Sequence, residues 1–246
     1  MDEHLYSLYH REEDSWWWSV GRRSLIANLW KRYGDREGSP AFLEIGCGTG
    51  ALLKELSQLG TAYGLDVASA ALKYCRQRGL DGLCLGDATS LPYREARFDA
   101  VVCVDVLEHL DDDGAALAEI YRVCKPGGKL LASVPAFQFL WSRRDEQLHH
   151  KRRYTLGQVK ERVAAAGFRI LKASYINLPV FFPLLLMVKT GQLSPKGSAS
   201  IRVDFAMLPG PLNRVLAGVA VLESRLIRHV NLPIGSSIAC VALKPV

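Results

Sequence analysis

The chain has 246 residues, of which 49% are hydrophobic and 23% are charged, and this composition excludes a disordered or fibrous protein. Its formal net charge is +6, and residues 141–172 alone carry an excess of six positive charges, with nine Lys or Arg and three Asp or Glu. This basic run is either a solvated helix face or a surface for an anionic partner. The six cysteines form no C-x-x-C pair and the N-terminus is acidic without an apolar signal core. We therefore expect free thiols in a reducing, cytoplasmic compartment, with no export, disulfide or metal site.

The first 33 residues have a helical pattern and precede every predicted strand. They contain a run of tryptophans followed by Arg22. Such a helix either packs its indole rings into the core or acts as a lid, with the rings forming a wall of an acceptor pocket and an arginine pairing with a carboxylate or phosphate. One helix can do both. We assign residues 1–40 to an N-terminal helical lid and predict substrate contacts for Trp17, Trp18 and Arg22.

Strand-like apolar runs alternate with helical patterns from residue 41 onward. The run at 98–104 is continuously apolar after Asp99, as expected for a central parallel strand buried on both faces. The alternation predicts an α/β fold with a doubly wound sheet, whose core is 41–175 and whose last strand lies in 236–246. Strands are predicted at 41–45, 62–66, 83–85, 98–104, 129–134, 168–174 and 238–243, helices at 49–59, 68–78, 112–124 and 156–166, and a type II turn at Pro126-Gly127.

An insertion at residues 176–235 interrupts this alternation. Its first part, 176–188, carries no charge but is shorter than the roughly 20 apolar residues that span a bilayer. A polar loop is predicted at 191–200, and an amphipathic helix with an apolar stripe opposite three arginines follows. The stripe is Leu212, Val215, Leu216, Val219, Leu222, Leu226 and Val230, and the arginines are Arg214, Arg225 and Arg228. This helix packs on its own domain or on a second subunit in a homodimer, or it contacts an anionic membrane surface or covers a lipid-like acceptor.

A glycine-rich turn follows the first strand and precedes a helix. Its glycines, Gly46, Gly48 and Gly50, allow a sharp turn and a close approach of backbone N–H groups to a ligand. Asp66 ends the second strand, where an acid can hold both hydroxyls of an adenosine ribose. Leu53 stands where dinucleotide enzymes have a third glycine, which disfavours a dinucleotide reductase. Glu44 precedes the turn and would repel a pyrophosphate but suits a cationic ligand such as S-adenosylmethionine.

With five motifs in order over residues 40–135, the chain resembles the class I S-adenosylmethionine-dependent methyltransferases. The motifs are Glu44-Ile45-Gly46-Cys47-Gly48-Thr49-Gly50, Gly64-Leu65-Asp66, Gly86-Asp87-Ala88, Phe98-Asp99 to His109, and Lys125-Pro126-Gly127-Gly128. The resemblance implies a seven-stranded Rossmann-like sheet with its last strand antiparallel. It also implies S-adenosylmethionine as cofactor and S-adenosylhomocysteine as product. The cofactor residues implied in this way are Glu44, Gly46, Cys47, Gly48, Thr49, Gly50, Asp66, Val67, Asp87, Ala88, Val104 and Asp105.

Two histidines are the predicted catalytic residues, His109 and His150. His109 follows the fourth strand, and similar Glu-His endings occur in quinone-biosynthesis and related small-molecule O-methyltransferases. It is either a general base for a hydroxyl or a residue that orders its loop. His150 lies in a second polar run, in which metal ligation by Asp145, His149 and His150 is disfavoured because adjacent histidines rarely point at one ion.

The same polar run supplies the remaining predicted substrate contacts, Arg152, Arg153 and Tyr154, since an arginine pair can recognise phosphate or carboxylate. This run, the tryptophan-rich start and the Leu-Pro-Ile-Gly-Ser-Ser ending at 232–237 resemble a bacterial subgroup linked to cell-envelope or lipid-linked glycan pathways. We therefore expect O-methylation of a small or lipid-linked acceptor, either anionic or neutral. An RNA methyltransferase and a non-catalytic S-adenosylmethionine-binding protein are the alternatives. The Asp/Asn-Pro-Pro-Tyr signature of base N-methylation is missing, and no RNA-binding module supports nucleic acid as partner.

Overall fold

The computed structural model describes residues 3–35, 38–191 and 208–246, and within them one seven-stranded sheet has the order β3-β2-β1-β4-β5-β7-β6. Pairing is parallel from β3 through β5, whereas β7 is antiparallel to both β5 and β6. The predicted doubly wound sheet with an antiparallel last strand is therefore confirmed. The strands are β1 (Ala41–Ile45), β2 (Thr61–Asp66), β3 (Leu83–Leu85), β4 (Phe98–Val104), β5 (Cys124–Pro135), β6 (Arg169–Ile176) and β7 (Ser237–Leu243).

The helices lie on both faces of this sheet. In the described residues they are α1 (Glu3–Glu12), α2 (Trp17–Tyr33), α3 (Ala51–Leu56), α4 (Ser69–Gln77), α5 (Asp113–Val123), α6 (Arg143–Gln147), α7 (Leu156–Ala165), α8 (Leu178–Lys189) and α9 (Gly210–Ile227). The third helix is shorter than predicted because Gly50 takes a left-handed conformation, with φ of 90°, and caps it. The predicted polar loop at 191–200 lies, apart from Gly191, outside the described residues.

The fifth strand begins five residues earlier than predicted. Cys124 already pairs with Phe98, and the register then shifts by a bulge before Lys129 pairs with Ala100. The predicted turn at Pro126-Gly127 lies within this irregularity, and Gly127 has the φ of about +80° that a type II turn requires at its third residue. β5 has more residues than β4 between these two pairs, and the strand continues beyond them.

Two apolar layers sandwich the sheet, because successive strand residues point to opposite faces. Leu43 and Val101 belong to a cluster with α5 and α7, whereas Phe42 and Val102 belong to a cluster with α2 and α9. The α2 helix contributes Leu25, Ile26, Leu29 and Trp30 to this second cluster. The N-terminal segment is therefore part of the core, while its three consecutive tryptophans are only half-buried.

Helices α2 and α9 pack closely through small residues. A side chain at Gly21 would place its Cβ 2.8 Å from the Cβ of Ala220, and the hydroxyls of Ser24 and Ser224 are 2.8 Å apart. Asn28 also donates to the Ser224 hydroxyl. This face of α9, which ends in the buried Ile227, holds the helix against the rest of the protein.

The apolar stripe of α9 does not form this contact. Five of its members are exposed by 42–66% of their surface, so the expectation that the stripe packs on its own domain is wrong for them. The exposed residues are Leu212, Val215, Leu222, Leu226 and Val230. Because the small-residue face allows a closer approach to α2, the bulky side chains remain turned toward solvent.

The start of helix α8 is bound to α9. The backbone N–H groups of Asn177 and Leu178 donate to the carboxylate of Glu223, a residue of α9, at 2.8 and 2.9 Å. The helix buries Phe181 but exposes Phe182 and Leu186. Among the described residues, no helix combines the length and apolar character needed to cross a membrane. The predicted unit at 176–235 includes residues 192–207, which lie outside the described ranges.

Candidate functional site

A cavity of about 680 Å³ lies where β1, β2 and β4 end, which is where open α/β sheets bind ligands. The loops after these strands form one part of its lining, and α1, α2 and α8 form another. Every residue predicted to bind the cofactor lines this cavity except Gly50, which shapes the loop by capping α3. The predicted sites at Trp17, Trp18, Arg22, His109, His150 and Arg153 also line it.

The glycine loop is open to the cavity at Gly48. Gly46 and Gly48 have φ of +70° and +53°, conformations that favour glycine. A Cβ at Gly46 would lie 2.4 Å from Cγ2 of Val106, whereas a Cβ at Gly48 would have no protein atom within 4 Å. The space beside Gly48 can therefore accept a ligand that approaches the backbone directly.

Asp66 holds the loop in this shape. Its carboxylate accepts hydrogen bonds from the backbone N–H groups of Gly48 and Ala68, both at 2.9 Å. Burial raises the pKa of Asp66 despite these two bonds. Asp87 lies at the next strand end and accepts from the backbone and hydroxyl of Thr89, which lower its pKa. Both carboxylates face the cavity and keep lone pairs for a ligand.

Glu44 presents a buried carboxylate with an unused oxygen. It is 4% exposed, and its Oε2 atom has no hydrogen-bond partner. Burial, reinforced by Cys75 and Glu13, raises the pKa of Glu44 well above its usual range. Buried carboxylates are normally paired, so this oxygen fits a cationic ligand group such as the ammonium of S-adenosylmethionine. With the open backbone at Gly48, the residues present fit that cofactor.

Arg78, which is not a predicted site residue, holds helix α1 against the glycine loop. Its guanidinium donates to the carbonyl of Thr49 at 2.8 Å and to the carboxylates of Glu13 and Asp14 at 2.8 and 3.0 Å. Glu13 also accepts a hydrogen bond from the Thr49 hydroxyl. Because Tyr9 and Glu13 line the cavity, the arginine fixes one of its walls.

Asp105 joins helix α2 to the sheet. Its carboxylate pairs with Arg22 through two hydrogen bonds of 2.9 and 3.1 Å and accepts a third from Ser133. Arg22 also donates to Ser237 and lies over the Trp18 ring, with 4.2 Å from Cζ to the centroid. The arginine predicted to bind substrate is thus already paired within the protein.

A polar cluster at the same cavity contains both predicted catalytic histidines. The His109 and His150 rings lie 4.7 Å apart at 81°, beside Glu108, which is fully buried. Burial, and then the neighbouring His150, lower the pKa of His109 to about 4. Burial raises the pKa of Glu108 well above its usual range. At neutral pH the His109 imidazole is therefore uncharged.

Asp145 supports this cluster from behind. It accepts from His150 at 2.8 Å and from Arg153 through two bonds of 2.8 and 2.9 Å. Burial acts to raise the pKa of Asp145, but the bonds from His150 and Arg153 outweigh it and hold that pKa well below its usual range. From the sequence, Asp145 is a candidate only as a metal ligand, and Glu108 is not predicted as a site residue.

Two predicted substrate contacts do not line the cavity. Arg152 donates to the carbonyls of Leu110 and Asp111, and the Tyr154 hydroxyl donates to Asp113 at 2.7 Å. Their proposed role in substrate binding is not supported by these positions. They brace the loop after β4 instead, and most of the basic run at 141–172 is engaged in similar internal contacts.

The sequence does not predict which residues of α8 form the apolar part of the cavity lining. Val180, Leu184 and Met187 of α8 face the cavity. The only sequence signal was the uncharged run at 176–188, which does not say which side chains point inward.

Comparison with known proteins identifies part of the chain. Residues 43–132 match the family described as a methyltransferase domain. Demethylmenaquinone methyltransferase of Lactiplantibacillus plantarum is 39% identical over 100 residues, which cover 36% of this chain and 42% of that protein. The tRNA (carboxymethyluridine(34)-5-O)-methyltransferase of Arabidopsis thaliana is 38% identical over 95 residues, covering 37% of this chain and 23% of the relative. The chain thus spans less than half the length of these curated relatives.

A solved structure extends the likeness to the whole fold. The protein in complex with the Trm112 methyltransferase activator of Haloferax volcanii has a TM-score of 0.63 and 19% identity, covering 99% of this chain and 95% of its own. At that identity the likeness concerns the fold alone.

Proposed function

We propose that this chain, which carries a class I S-adenosylmethionine-dependent methyltransferase domain, methylates a hydroxyl oxygen of a lipid-linked acceptor taken from an anionic membrane surface. S-adenosylmethionine, the cofactor of this class, supplies an electrophilic methyl group on a positively charged sulfur. The acceptor class rests on one observation: α8 contributes apolar side chains both to the cavity and to the outer surface.

The cofactor half of the cavity offers a partner for each part of the ligand. Glu44 meets the ammonium group, and the backbone beside Gly48 lies along the methionine part. Asp66 accepts from the ribose hydroxyls, and Asp87 accepts from the adenine amino group while the Ala88 N–H donates to the ring. These assignments follow from the unused Glu44 oxygen, the open space at Gly48 and the two carboxylates at successive strand ends.

The acceptor half is apolar along α8. Val180, Leu184 and Met187 line the cavity, while Phe182 and Leu186 of the same helix are exposed by 61% and 64%. A lipid tail could therefore pass from the outer surface along this helix toward the cavity. A fully polar acceptor would leave these side chains without a partner, which is unfavourable for a surface in water.

Helix α9 adds the means to reach a membrane. Its four exposed apolar residues, together with Val230 just after the helix and Phe182 and Leu186 of α8, offer on the order of 5–10 kcal/mol on burial, taking half of the value for full burial of each side chain. Arg214 and Arg225 are exposed on the same helix, and each basic residue near an anionic surface contributes about 1 kcal/mol. The pairing of apolar and basic groups is typical of interfacial helices.

The reacting end of the acceptor lies at the polar cluster. Methyl transfer is an in-line displacement, so alignment and exclusion of water supply much of the catalysis. Trp17 and Trp18 line the cavity, and the uncharged His109 can accept a proton from the acceptor hydroxyl, while His150 beside it can position that hydroxyl. We keep both histidines as the candidate catalytic residues.

The membrane contact is tested by liposome flotation. Wild type should float with anionic vesicles, whereas Leu222→Glu/Leu226→Glu should not, and Arg214→Gln/Arg225→Gln should lose most of the preference for anionic lipid. Leu59→Glu is the matched control, because Leu59 is an exposed leucine outside α8 and α9. A wild-type protein that stays monomeric and never floats would refute the contact, and burial of the stripe in a homodimer would replace it.

The reaction is tested with S-adenosylmethionine that carries a deuterated methyl group. After incubation with a cell extract, label is expected in a lipid fraction as an ether methyl. Label in tRNA would instead favour the RNA alternative, which the Arabidopsis thaliana relative suggests. The internal pairing of the 141–172 cations leaves few of them free for phosphates, which disfavours that alternative. Cofactor binding without label in any fraction would indicate a non-catalytic binding protein.

A further inference from the structure

Glu108 is a carboxylate buried without a partner. It lies in the short 3-10 turn Leu107–His109 after β4, its side chain is 0% exposed, and neither oxygen has a hydrogen-bond partner. Buried carboxylates are otherwise paired with a cation or bound to a metal. Arg22 and Arg153, the nearest arginines that line the cavity, are already held by Asp105 and Asp145.

Two imidazoles face this carboxylate. One ligand atom each from Glu108, His109 and His150 lies within 4.8 Å of the other two, and His150 Nε2 is 4.0 Å from Glu108 Oε1. A distance of 4.0 Å is too long for a hydrogen bond between these atoms. Two atoms bound to one ion at about 2.1 Å and at the tetrahedral angle lie about 3.4 Å apart, so ion binding would draw the most separated pair together by roughly 1–1.5 Å.

Both imidazoles are also held on their far sides. His150 Nδ1 lies 2.8 Å from Asp145, whose carboxylate is fixed by two bonds from Arg153. The His109 ring hydrogen-bonds to the backbone of His149. An oxygen partner on the non-ligating nitrogen is the usual support of a metal-binding histidine, because it fixes the tautomer and the ring orientation.

We propose that Glu108, His109 and His150 form a binding site for a divalent transition-metal ion in the wall of the cavity. Two imidazoles and one carboxylate suit Zn²⁺, Fe²⁺, Mn²⁺ or Co²⁺ better than Mg²⁺ or Ca²⁺, which prefer oxygen ligands. All three residues line the cavity, so the remaining coordination positions face the acceptor. The site differs from the set considered from sequence, since Asp145 supports a ligand and His149 contributes its backbone.

A catalytic use of this ion rests on the proposed function. An ion here would bind the acceptor hydroxyl and lower its pKa, so that its proton leaves to water. The O–CH₃ bond then forms as the S–CH₃ bond breaks, and the electron pair of that bond stays on sulfur. Metal binding itself requires no acceptor and is tested separately.

The test is a Co²⁺ titration of the full chain after metal stripping, followed by visible ligand-field absorption and by thermal unfolding. Wild type should bind one Co²⁺ with a rise in Tm, and Zn²⁺ should displace it. Glu108→Gln and His150→Gln should each lose the absorption, while His229→Gln, at an exposed histidine, should keep it. Asp145→Asn should weaken binding by about 10- to 100-fold, as expected for a supporting carboxylate. Circular dichroism confirms that each variant is folded.

Two results would overturn the site: no Co²⁺ absorption with folded wild type, or absorption unchanged in Glu108→Gln and His150→Gln. An intense thiolate-to-cobalt band would place the ion at the Cys47–Cys75 pair, whose sulfurs are 4.0 Å apart, and would also overturn it. Wild type that binds Co²⁺ but labels no acceptor would retain the metal site and reject the proposed function. Labelling that persists in the absence of bound metal would retain the function and reject the catalytic use of the ion.

Discussion

Replacement of Glu44 by Gln should weaken cofactor binding without weakening the fold. The Glu44 Oε2 atom is buried and unpartnered, so an ammonium group would form a charge-assisted hydrogen bond there. Loss of such a bond costs about 1.5–3 kcal/mol, which corresponds to about a 10- to 150-fold rise in Kd. In the free protein the raised pKa of Glu44 indicates that its charge is unfavourable, so Glu44→Gln should unfold at the same or a higher temperature than wild type.

Calorimetry with three ligands isolates the group responsible. S-adenosylmethionine and S-adenosylhomocysteine both carry the ammonium, and their affinities should fall together in Glu44→Gln. 5′-Methylthioadenosine lacks the amino-acid part, so its affinity should not change. An equal loss for all three ligands would contradict the assignment and indicate a general distortion of the loop.

The pH dependence of the same binding has a defined sign. Burial raises the pKa of Glu44 in the free protein, so at lower pH the carboxyl group is neutral and attracts the ammonium weakly. Affinity for S-adenosylmethionine should therefore rise with pH as Glu44 ionises and fall again as the ligand's ammonium group loses its proton, and protons should be released on binding along the rising limb. The rise should be missing in Glu44→Gln, and a rise retained there would refute the reasoning.

Two further predictions concern the fold. In urea unfolding, Gly21→Ala should lower the free energy of unfolding by about 1–3 kcal/mol, because the new Cβ would lie 2.8 Å from the Cβ of Ala220. Gly218→Ala, which adds its Cβ in open space on α9, should raise that free energy by up to about 1 kcal/mol. Equal effects of the two substitutions would contradict the close packing of α2 and α9. Asp99→Asn should lower the free energy of unfolding at neutral pH. Burial acts to raise the pKa of Asp99, but the bonds from Lys125 and from the Ala41 N–H outweigh burial and lower that pKa. Wild type should therefore lose the stability contributed by ionised Asp99 as the pH falls through the lowered pKa. A stability difference that is the same at neutral and acidic pH would argue against this contribution.

The part of the cavity formed by the ends of β1, β2 and β3 could be predicted from sequence because its residues are local. A glycine turn, an acid at a strand end and a buried strand each follow from a few adjacent residues, and parallel strands bring their carboxyl ends together. The polar cluster could not be predicted in this way. Glu108 and His150 are 42 positions apart, and only the loop after β5, held by Asp145 and Arg153, brings His150 back to the end of β4.

The sequence pattern also does not show which face of α9 packs against the rest of the protein. An apolar stripe predicts amphipathicity but does not say that it faces the core. Here Ala220 and Ser224 face Gly21 and Ser24, and these small groups let the helices approach more closely than leucines would. Similarly, two neighbours in the basic run point in different directions, Arg153 into the cavity wall and Tyr154 toward Asp113.

The insertion begins and ends at paired positions of the sheet. Ile176 is the last residue of β6, Ser237 is the first of β7, and the two are register partners. The entropy of closing such a connection grows only with the logarithm of its length, so the sheet tolerates exchange of what lies between. A chimaera could therefore receive a different 177–236 segment at this junction, together with a matching α2 face, which would change the apolar α8 part of the cavity lining while the glycine loop stays unaltered.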